Sequence, residues 1–403
     1  MPGREFITGV AGVKILNIHE RKESFEIQGH AEILPDTACP KCDSKKFRIK
    51  ATNTRFFKHG IWNRKLVWLK VKIPKLYCRA CMTYFTLKLP GTRPKKRSTE
   101  QFRQSVFELH QGGLTQTSLK SSHRIATATV ERWYQEYVGY RVAELSGREC
   151  PQVLGIDEHF FTRKDGFATT LVDLKNHKVF DVVLGRSEKA LEPYLKRLPG
   201  RDKVKIVVMD LSETYRSIVK KHFPNALIVA DRFHVVRLLN QQFLKIWRSL
   251  DPIGKSNRGL LSLIRRHEWN LDRDQKAKLA IYFEEIPGLE AVYRFKQDLM
   301  ILLLKKHQKK SEAKALVSQL FWHVNECLES SFEPIKTFGS TLKSWLEPIA
   351  RMWRFTKNNG ITEGFHTKME MISRRAFGFR NFRNYRLRVI ALCGWDGIFT
   401  IRS

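Results

Sequence analysis

Residues 204–231 read VKIVVMDLSETYRSIVKKHFPNALIVAD, and this stretch decides the fold. An apolar run from Val204 to Met209 ends in Asp210, a helical segment follows from Ser212 to Phe223, and a second apolar run from Ala226 to Ala230 ends in Asp231. Short apolar runs bounded by turn signals are buried strands, and strands alternating with helices mark an open α/β sheet. Toward the N-terminus, Val153-Leu154-Gly155-Ile156-Asp157 repeats the device of an apolar strand with a terminal acid. Between them, strands over Ala168 to Asp173 and Val179 to Leu184 flank a turn at Lys175-Asn176-His177, a hairpin continuing the sheet, and Glu188 to Leu198 reads as a helix.

An acid at a strand end adds nothing to a core, and three such acids are hard to explain by packing. Open α/β sheets bind their ligands beyond the carboxyl ends of their strands. Asp157 and Asp210 clustered there repel each other unless cations screen them, and hard oxygen ligands suit Mg2+ or Mn2+. Two such ions ~3.5–4 Å apart would activate a water or 3′-hydroxyl and stabilise the leaving oxygen of a phosphodiester. Asp231 and His234 form an Asp-x-x-His motif open to two readings. In one, His234 donates to a phosphate or orients an active-site group; in the other, Asp231 caps a helix and the histidine is buried and hydrogen-bonded. Glu158, adjacent to Asp157, points to the opposite side of the strand and ranks below it as a ligand.

Further on, Asn359-Gly360 marks a turn and a helix begins close after it, with Phe365, Met369, Ile372 and Ala376 on one face and Glu363, Thr367, Glu370 and Arg374 on the other. Glu363 therefore sits at a helix start, away from the apolar seam. From Arg374 to Arg386, including Arg375 and Arg380, arginines alternate with aromatics, which offers phosphate contacts and stacking surfaces together. A plain basic amphipathic segment is the other reading. Between Asn240 and Phe355 helical periodicity dominates, with Trp247, Trp269, Trp322 and Trp345 and few strand signals.

The N-terminal third carries a different chemistry. Cys39-Pro40-Lys41-Cys42 and Cys78-Arg79-Ala80-Cys81 are two CxxC knuckles, and four thiolates brought together hold one structural Zn2+ tetrahedrally. Trp62, Leu66, Val67, Trp68, Leu69, Val71 and Ile73 lie between them and suggest strands carrying the second knuckle back to the first, a zinc ribbon with an elaborated hairpin. His59 is expected at the surface rather than on the metal. Pro90 to Arg97 combines breakers with basic charge and reads as a linker. After it, Ser98 can cap a helix through Leu109 that ends at Gly112-Gly113, and a helix opens at Ala126. The order fits a helix-turn-helix with Thr127, Thr129 and Arg132 facing the bases, or a small helical connector.

The chain has 403 residues with 73 Lys plus Arg against 40 Asp plus Glu, a formal charge of +33 spread along its length. Such an excess repels itself unless a polyanion is the working partner, which makes nucleic acid the first suspect. No apolar run approaches the ~20 residues of a membrane span. Charges at Arg4, Glu5 and Lys14 leave no signal-peptide plan, so export is not expected. Seven cysteines, four of them in close pairs, fit a reducing compartment with bound metal better than a disulfide framework.

The two CxxC pairs, Leu154-Gly155-Ile156-Asp157-Glu158, Met209-Asp210-Leu211-Ser212, Ala230-Asp231-Arg232-Phe233-His234, and Asn358 to Gly364 followed by Arg374 to Phe379, taken in order, resemble the insertion-sequence transposases of the ISL3 group over nearly the whole chain. The resemblance implies an α/β RNase H-like catalytic domain with a helical insertion, preceded by a zinc ribbon and a helix-turn-helix domain. It implies that Asp157, Asp210 and Glu363 form a DDE triad holding two Mg2+ or Mn2+ ions. His366 stands where the group often carries Asn, and Lys368-Met369-Glu370-Met371 where a basic series is common. The expected organisation is an N-terminal region with the ribbon over 1–92, the helix-turn-helix over 93–150, the catalytic domain over 151–240 and 356–403, and the helical insertion over 241–355. The expected function is binding of terminal inverted repeats in double-stranded DNA, through Thr127, Thr129, Arg132, Lys368, Arg374, Arg375 and Arg380, with metal-dependent cleavage and strand transfer into target DNA. Pairing two ends implies a homodimer, and the resemblance implies a place in the bacterial cytoplasm, with the nucleoid. The alternatives are an inactive or domesticated DNA-binding regulator, an RNase H-like nuclease without strand transfer, and a basic RNA-binding scaffold.

Overall fold

The computed structural model describes residues 10–145, 148–355 and 360–394, and its backbone divides into two compact units, one ending at Glu144 and one beginning at Leu145. Asn359, half of the expected Asn-Gly turn, lies outside the described residues.

In the first unit, β1 (Val13–Glu20), β2 (Ser24–Ala31), β3 (Phe47–Trp62), β4 (Lys65–Cys78) and β5 (Tyr84–Thr86) form one sheet in the order β1-β2-β4-β3, with β5 also on β4. The segment between the cysteine pairs is thus the long β3–β4 hairpin. Its turn residues Asn63 and Arg64 have φ of 49° and 62°, the left-handed geometry whose twist matches that of the flanking strands. Ile15, Ile27, Phe57, Leu69, Val71 and Leu76 make the core of this sheet.

Three helices follow, α1 (Glu100–Gln111), α2 (Gln116–His123) and α3 (Thr127–Leu145). The cap of α1 is Thr99, not Ser98: Phe102 N donates to Thr99 Oγ1 at 3.3 Å. His59 is buried rather than on the surface, because its Nδ1 lies 3.1 Å from that same Thr99 hydroxyl and ties β3 to the helix start. Phe102, Val106, Leu119, Ile125, Val130 and Trp133 pack with Leu66 of β4, so the helices share a core with the hairpin. Arg124 at φ 52° turns α2 into α3.

The second unit contains β6 (Val153–Thr162), β7 (Gly166–Asp173), β8 (Lys178–Leu184), α4 (Glu188–Arg197), β9 (Ile206–Met209), α5 (Glu213–His222), β10 (Leu227–Ala230) and α6 (Arg232–Leu250). The strand order is β10-β9-β6-β7-β8. β10, β9 and β6 are parallel, whereas β6, β7 and β8 form an antiparallel meander. The helical stretch continues through α7 (Arg258–Arg265), α8 (Arg273–Glu285), α9 (Pro287–Leu304), α10 (Lys310–Glu329), α11 (Glu333–Ser344) and α12 (Leu346–Arg351), and then α13 (Gly360–Arg375) and α14 (Phe382–Val389) return to the sheet.

Two arginines fasten this helical block together and to β10. Arg232, the first residue of α6, donates to the carbonyls of Leu303 and Lys305 at the end of α9 and of Met352 after α12, at 3.0, 3.0 and 2.7 Å. Arg351 donates to Ile228 O of β10 at 3.1 Å, so α12 covers a sheet edge that would otherwise offer unpaired backbone groups. No helix among the described residues is long and apolar enough to cross a membrane.

Candidate active site

Strand register sets the site. Ile156 pairs with Met209 and Met209 with Ala230, so the next residue on each strand, Asp157, Asp210 and Asp231, stands in one row across the parallel half of the sheet. Asp157 is not at the end of its strand as expected: β6 runs on to Thr162 against β7, with Asp157 opposite Thr170. What ends at Asp157 is the pairing with β9, and that opens the row to a ligand. Glu158 faces the other side and meets Arg186 Nη1 at 3.1 Å.

Burial of this row is electrostatically costly. Asp157 is 8% exposed, and burial first, with the charges of Asp210 and Asp231 adding and that of His234 opposing, pushes its acid up to about 6. Burial likewise raises Asp210, helped by Glu158 and Asp231. Asp210 Oδ1 is buried with no hydrogen-bond partner in the protein. Such an orphaned carboxylate oxygen is destabilising unless something positive reaches it, so the donor set of Asp157 and Asp210 fits a hard divalent cation. Asp231 caps α6, accepting from Phe233 N at 3.2 Å, and its Oδ2 lies 3.5 Å from His234 Nε2. The His234 side chain is a quarter exposed, so it is not the buried histidine of the capping alternative.

Glu363 lies on the first turn of α13 and is exposed. It lines an open cavity of about 590 Å³ together with His159, His366, Arg374 and Tyr385. Thr362, Phe365, Met369 and Ile372 form the buried face of α13, while Ala376, read as part of that face, lies past the last helical residue and is exposed. One turn beyond Glu363, His366 Nδ1 is 3.9 Å from Asp157 Oδ2 and its Nε2 is 3.2 Å from Thr170 Oγ1, which sets the Glu363 end of α13 beside the aspartate row. Among the described residues, the only three or more Cys, His, Asp or Glu whose ligand atoms lie within 4.8 Å of one another are the four cysteines, so the three acids do not form a closed cage.

Sequence reading missed the polar cluster that lies beside Asp157. Tyr385 Oη lies 2.8 Å from His159 Nε2, His159 Nδ1 lies 2.9 Å from Thr170 Oγ1, and Thr170 in turn meets His366. Burial first, and then the neighbouring histidine charge, holds His159 down to about 3 and His366 down to about 4, so both rings are neutral at pH 7. Parity along β6 puts His159 on the Asp157 face and was available in the sequence; Tyr385, 226 residues away from His159, was not. Arg386 is withdrawn from the basic series: it grips buried Asp181 with two bonds of 2.6 and 2.7 Å and pins α14 to β8. Lys368, Arg374, Arg375 and Arg380 are exposed, with Arg374 paired to Glu370 at 2.6 Å. On the first turns of α3, Arg132 is exposed and Thr127 and Thr129 are half-buried.

In the first unit the two knuckles close alike. Cys39 N donates to Ser44 O at 3.0 Å and Cys78 N to Thr83 O at 2.9 Å, and each knuckle turns through a left-handed residue, Asp43 at φ 53° and Met82 at φ 59°. Cys39 and Cys81 sulfurs are 3.5 Å apart and those of Cys42 and Cys78 3.7 Å. Tetrahedral zinc at ~2.3 Å from each thiolate needs sulfurs ~3.8 Å apart, so the four cysteines fit a structural Zn2+. The backbone N–H of Lys41, aimed at its sulfur, holds the Cys39 thiol down to about 6.

The segments that carry the aspartate row and the four thiolates match one known class of protein, the transposases of insertion sequences. The model of the ISL3 transposase family matches residues 154–389, and that of the zinc finger of transposases IS204, IS1001, IS1096 and IS1165 matches residues 35–81. The chain belongs to the ISL3 transposase family. It is 25% identical over 367 residues, 88% of each chain, to the transposase for insertion sequence element IS1001 of Bordetella parapertussis. Over 258 residues, 57% of each chain, it is 21% identical to the transposase for IS1557 of Mycobacterium tuberculosis.

Proposed function

We propose that this transposase works by DDE chemistry on an RNase H-like domain, with Asp157, Asp210 and Glu363 as the triad that holds Mg2+ or Mn2+ against the scissile phosphodiester. The observation that carries the reading is the in-register row of Asp157 and Asp210, with Asp210 Oδ1 buried and partnerless. The antiparallel meander β6–β8 continued by parallel β9 and β10 supports the RNase H-like assignment. Divalent ions bound there supply the Lewis acidity that turns a water or a 3′-hydroxyl into a nucleophile and neutralises the leaving oxygen. Asp157 and Asp210 hold that charge from the sheet, Glu363 completes the set from α13, and His366, bonded to Thr170, stands beside the Asp157 carboxylate. Asp231 and His234 are accessory: the first fixes the start of α6, and the second places a ring beside the row.

The zinc ribbon and α1–α3, the latter as a helix-turn-helix with Thr127, Thr129 and Arg132 toward the bases, recognise the terminal inverted repeats. Lys368, Arg374, Arg375 and Arg380 contact the phosphates of the end being cut. A homodimer pairs the two ends.

The test is cleavage and joining of duplexes that carry the element's own ends, with Mg2+ or Mn2+, by wild type and by Asp157→Asn, Asp210→Asn and Glu363→Gln. The expected result is metal-dependent nicking and joining by wild type, at least ~10²-fold loss in each variant, and duplex binding retained. Unchanged cleavage in the variants overturns the triad, and nicking without joining of pre-cleaved ends reduces the protein to a nuclease.

A further inference from the structure

The C-terminus of α13 contains an aromatic residue that the fold does not explain. Gly378 N donates to Ser373 O at 2.8 Å and Phe377 N to Arg374 O at 3.0 Å, the paired bonds of a Schellman motif. In that motif the residue at Phe377 is left-handed and is usually glycine, because a side chain there crowds the backbone. Phe377 nevertheless adopts φ 53°, and it is 91% exposed. No burial offsets its backbone strain. A strained, exposed aromatic residue on the wall of the cavity that also holds Glu363 is a surface for a ligand.

The surroundings identify the chemistry of that ligand. Phe377 lines the cavity that also contains Glu363, and Phe160, 58% exposed, is on the same wall system. Arg374, Arg375, Arg380 and Arg383 are exposed within ten positions of chain. Aromatic faces among arginines suit an anionic strand with stackable bases. A base inside a duplex has both faces covered, so only an unpaired or extruded one can meet the ring.

We propose that Phe377 stacks on one unpaired base of the DNA end and that the cavity beside Glu363 receives that base while the adjoining phosphodiester lies at the acids. The inference rests on the reading of the site as a DNA-cleaving centre. Phe377 is here a stacking residue that positions the strand and takes no part in bond breaking.

The test uses full-length protein and element-end duplexes in which 2-aminopurine replaces single bases, one position at a time, across the cleavage point. Wild type is expected to raise the emission at one or two positions at least about twofold on binding, as that base leaves the duplex stack. Phe377→Gly is expected to abolish the rise and to weaken binding of an end with an unpaired base roughly tenfold, while paired duplex that carries no element end binds as before and Phe377→Trp restores both. Because glycine suits the left-handed backbone, the Tm of Phe377→Gly is expected to equal or exceed that of wild type. A Tm several degrees lower, a rise that survives in Phe377→Gly, or end cleavage by wild type with no rise at any position overturns the proposal and leaves the triad standing. Wild type that binds the ends but never cleaves them with Mg2+ or Mn2+ overturns the DNA-cleaving reading and this inference with it.

Discussion

At Asp210 the molecule holds a buried carboxylate oxygen with no partner in the protein, beside the buried Asp157 on the next strand. Evolution toward stability alone would replace it, since burying unpaired charge is among the most destabilising things a chain can do. Asp210→Asn is therefore expected to raise the Tm of the metal-free protein by a few degrees while lowering Mn2+ affinity about tenfold or more. Differential scanning calorimetry and Mn2+ electron paramagnetic resonance check the two halves, and a variant that melts earlier while binding Mn2+ as wild type does contradicts the account. The acids themselves were legible in the sequence because Asp157, Asp210 and Asp231 each interrupt an apolar run. Thr170 and Tyr385 were not, because their places depend on strand pairing and on a helix more than two hundred residues away.

At the scale of elements, local chemistry was readable wherever it repeats. The CxxC pairs announced the knuckles, and the apolar spacing around Trp68 announced the hairpin that joins them. β1 and β2 went unread because outward residues such as Asn17, His19 and Glu20 dilute the alternation that marks a strand. His59 went unread because nothing local says that a histidine will meet a helix cap 40 residues on. In the helical block, Lys296 on α9 is 1% exposed, with its Nζ bonded to Ile264 O at 2.7 Å and lying over the rings of Phe243 and Tyr293 at 4.9 and 5.4 Å. Burial first, and then Arg265, pushes its pKa down to about 7. With the folded value below the unfolded one, the cost of burying the protonated amine is present in full below about pH 7 and fades as pH rises toward ~10.4. Compared with Lys296→Met, wild type is expected to gain up to ~1.4 kcal/mol of stability per pH unit across that window. Urea unfolding of both proteins from pH 7 to 10 measures it, and parallel pH profiles would refute a buried, depressed lysine.

Across the whole chain, composition and order were the readable quantities. A charge of +33 pointed to a polyanion, and the sequence of cysteine pairs, helices, aspartate strands and C-terminal glutamate gave the resemblance that the family match bears out. The path of α7–α12 was not legible, since a long amphipathic stretch fixes helices but not which of them returns to the sheet; Arg232 and Arg351 decide that. This block separates Asp210 from Glu363 in sequence, while α13 brings Glu363 back to the side of Asp157. That three acids so far apart in the chain share one metal site is the central claim. Its most direct test is iron-directed cleavage of the polypeptide: full-length protein bound to its DNA ends, loaded with Fe2+, treated with ascorbate and peroxide, and sequenced at the cut points. The expected cuts fall around Asp157, Asp210 and Glu363 and disappear when Mg2+ competes. Cuts confined to the first two, or indifferent to Mg2+, would contradict it.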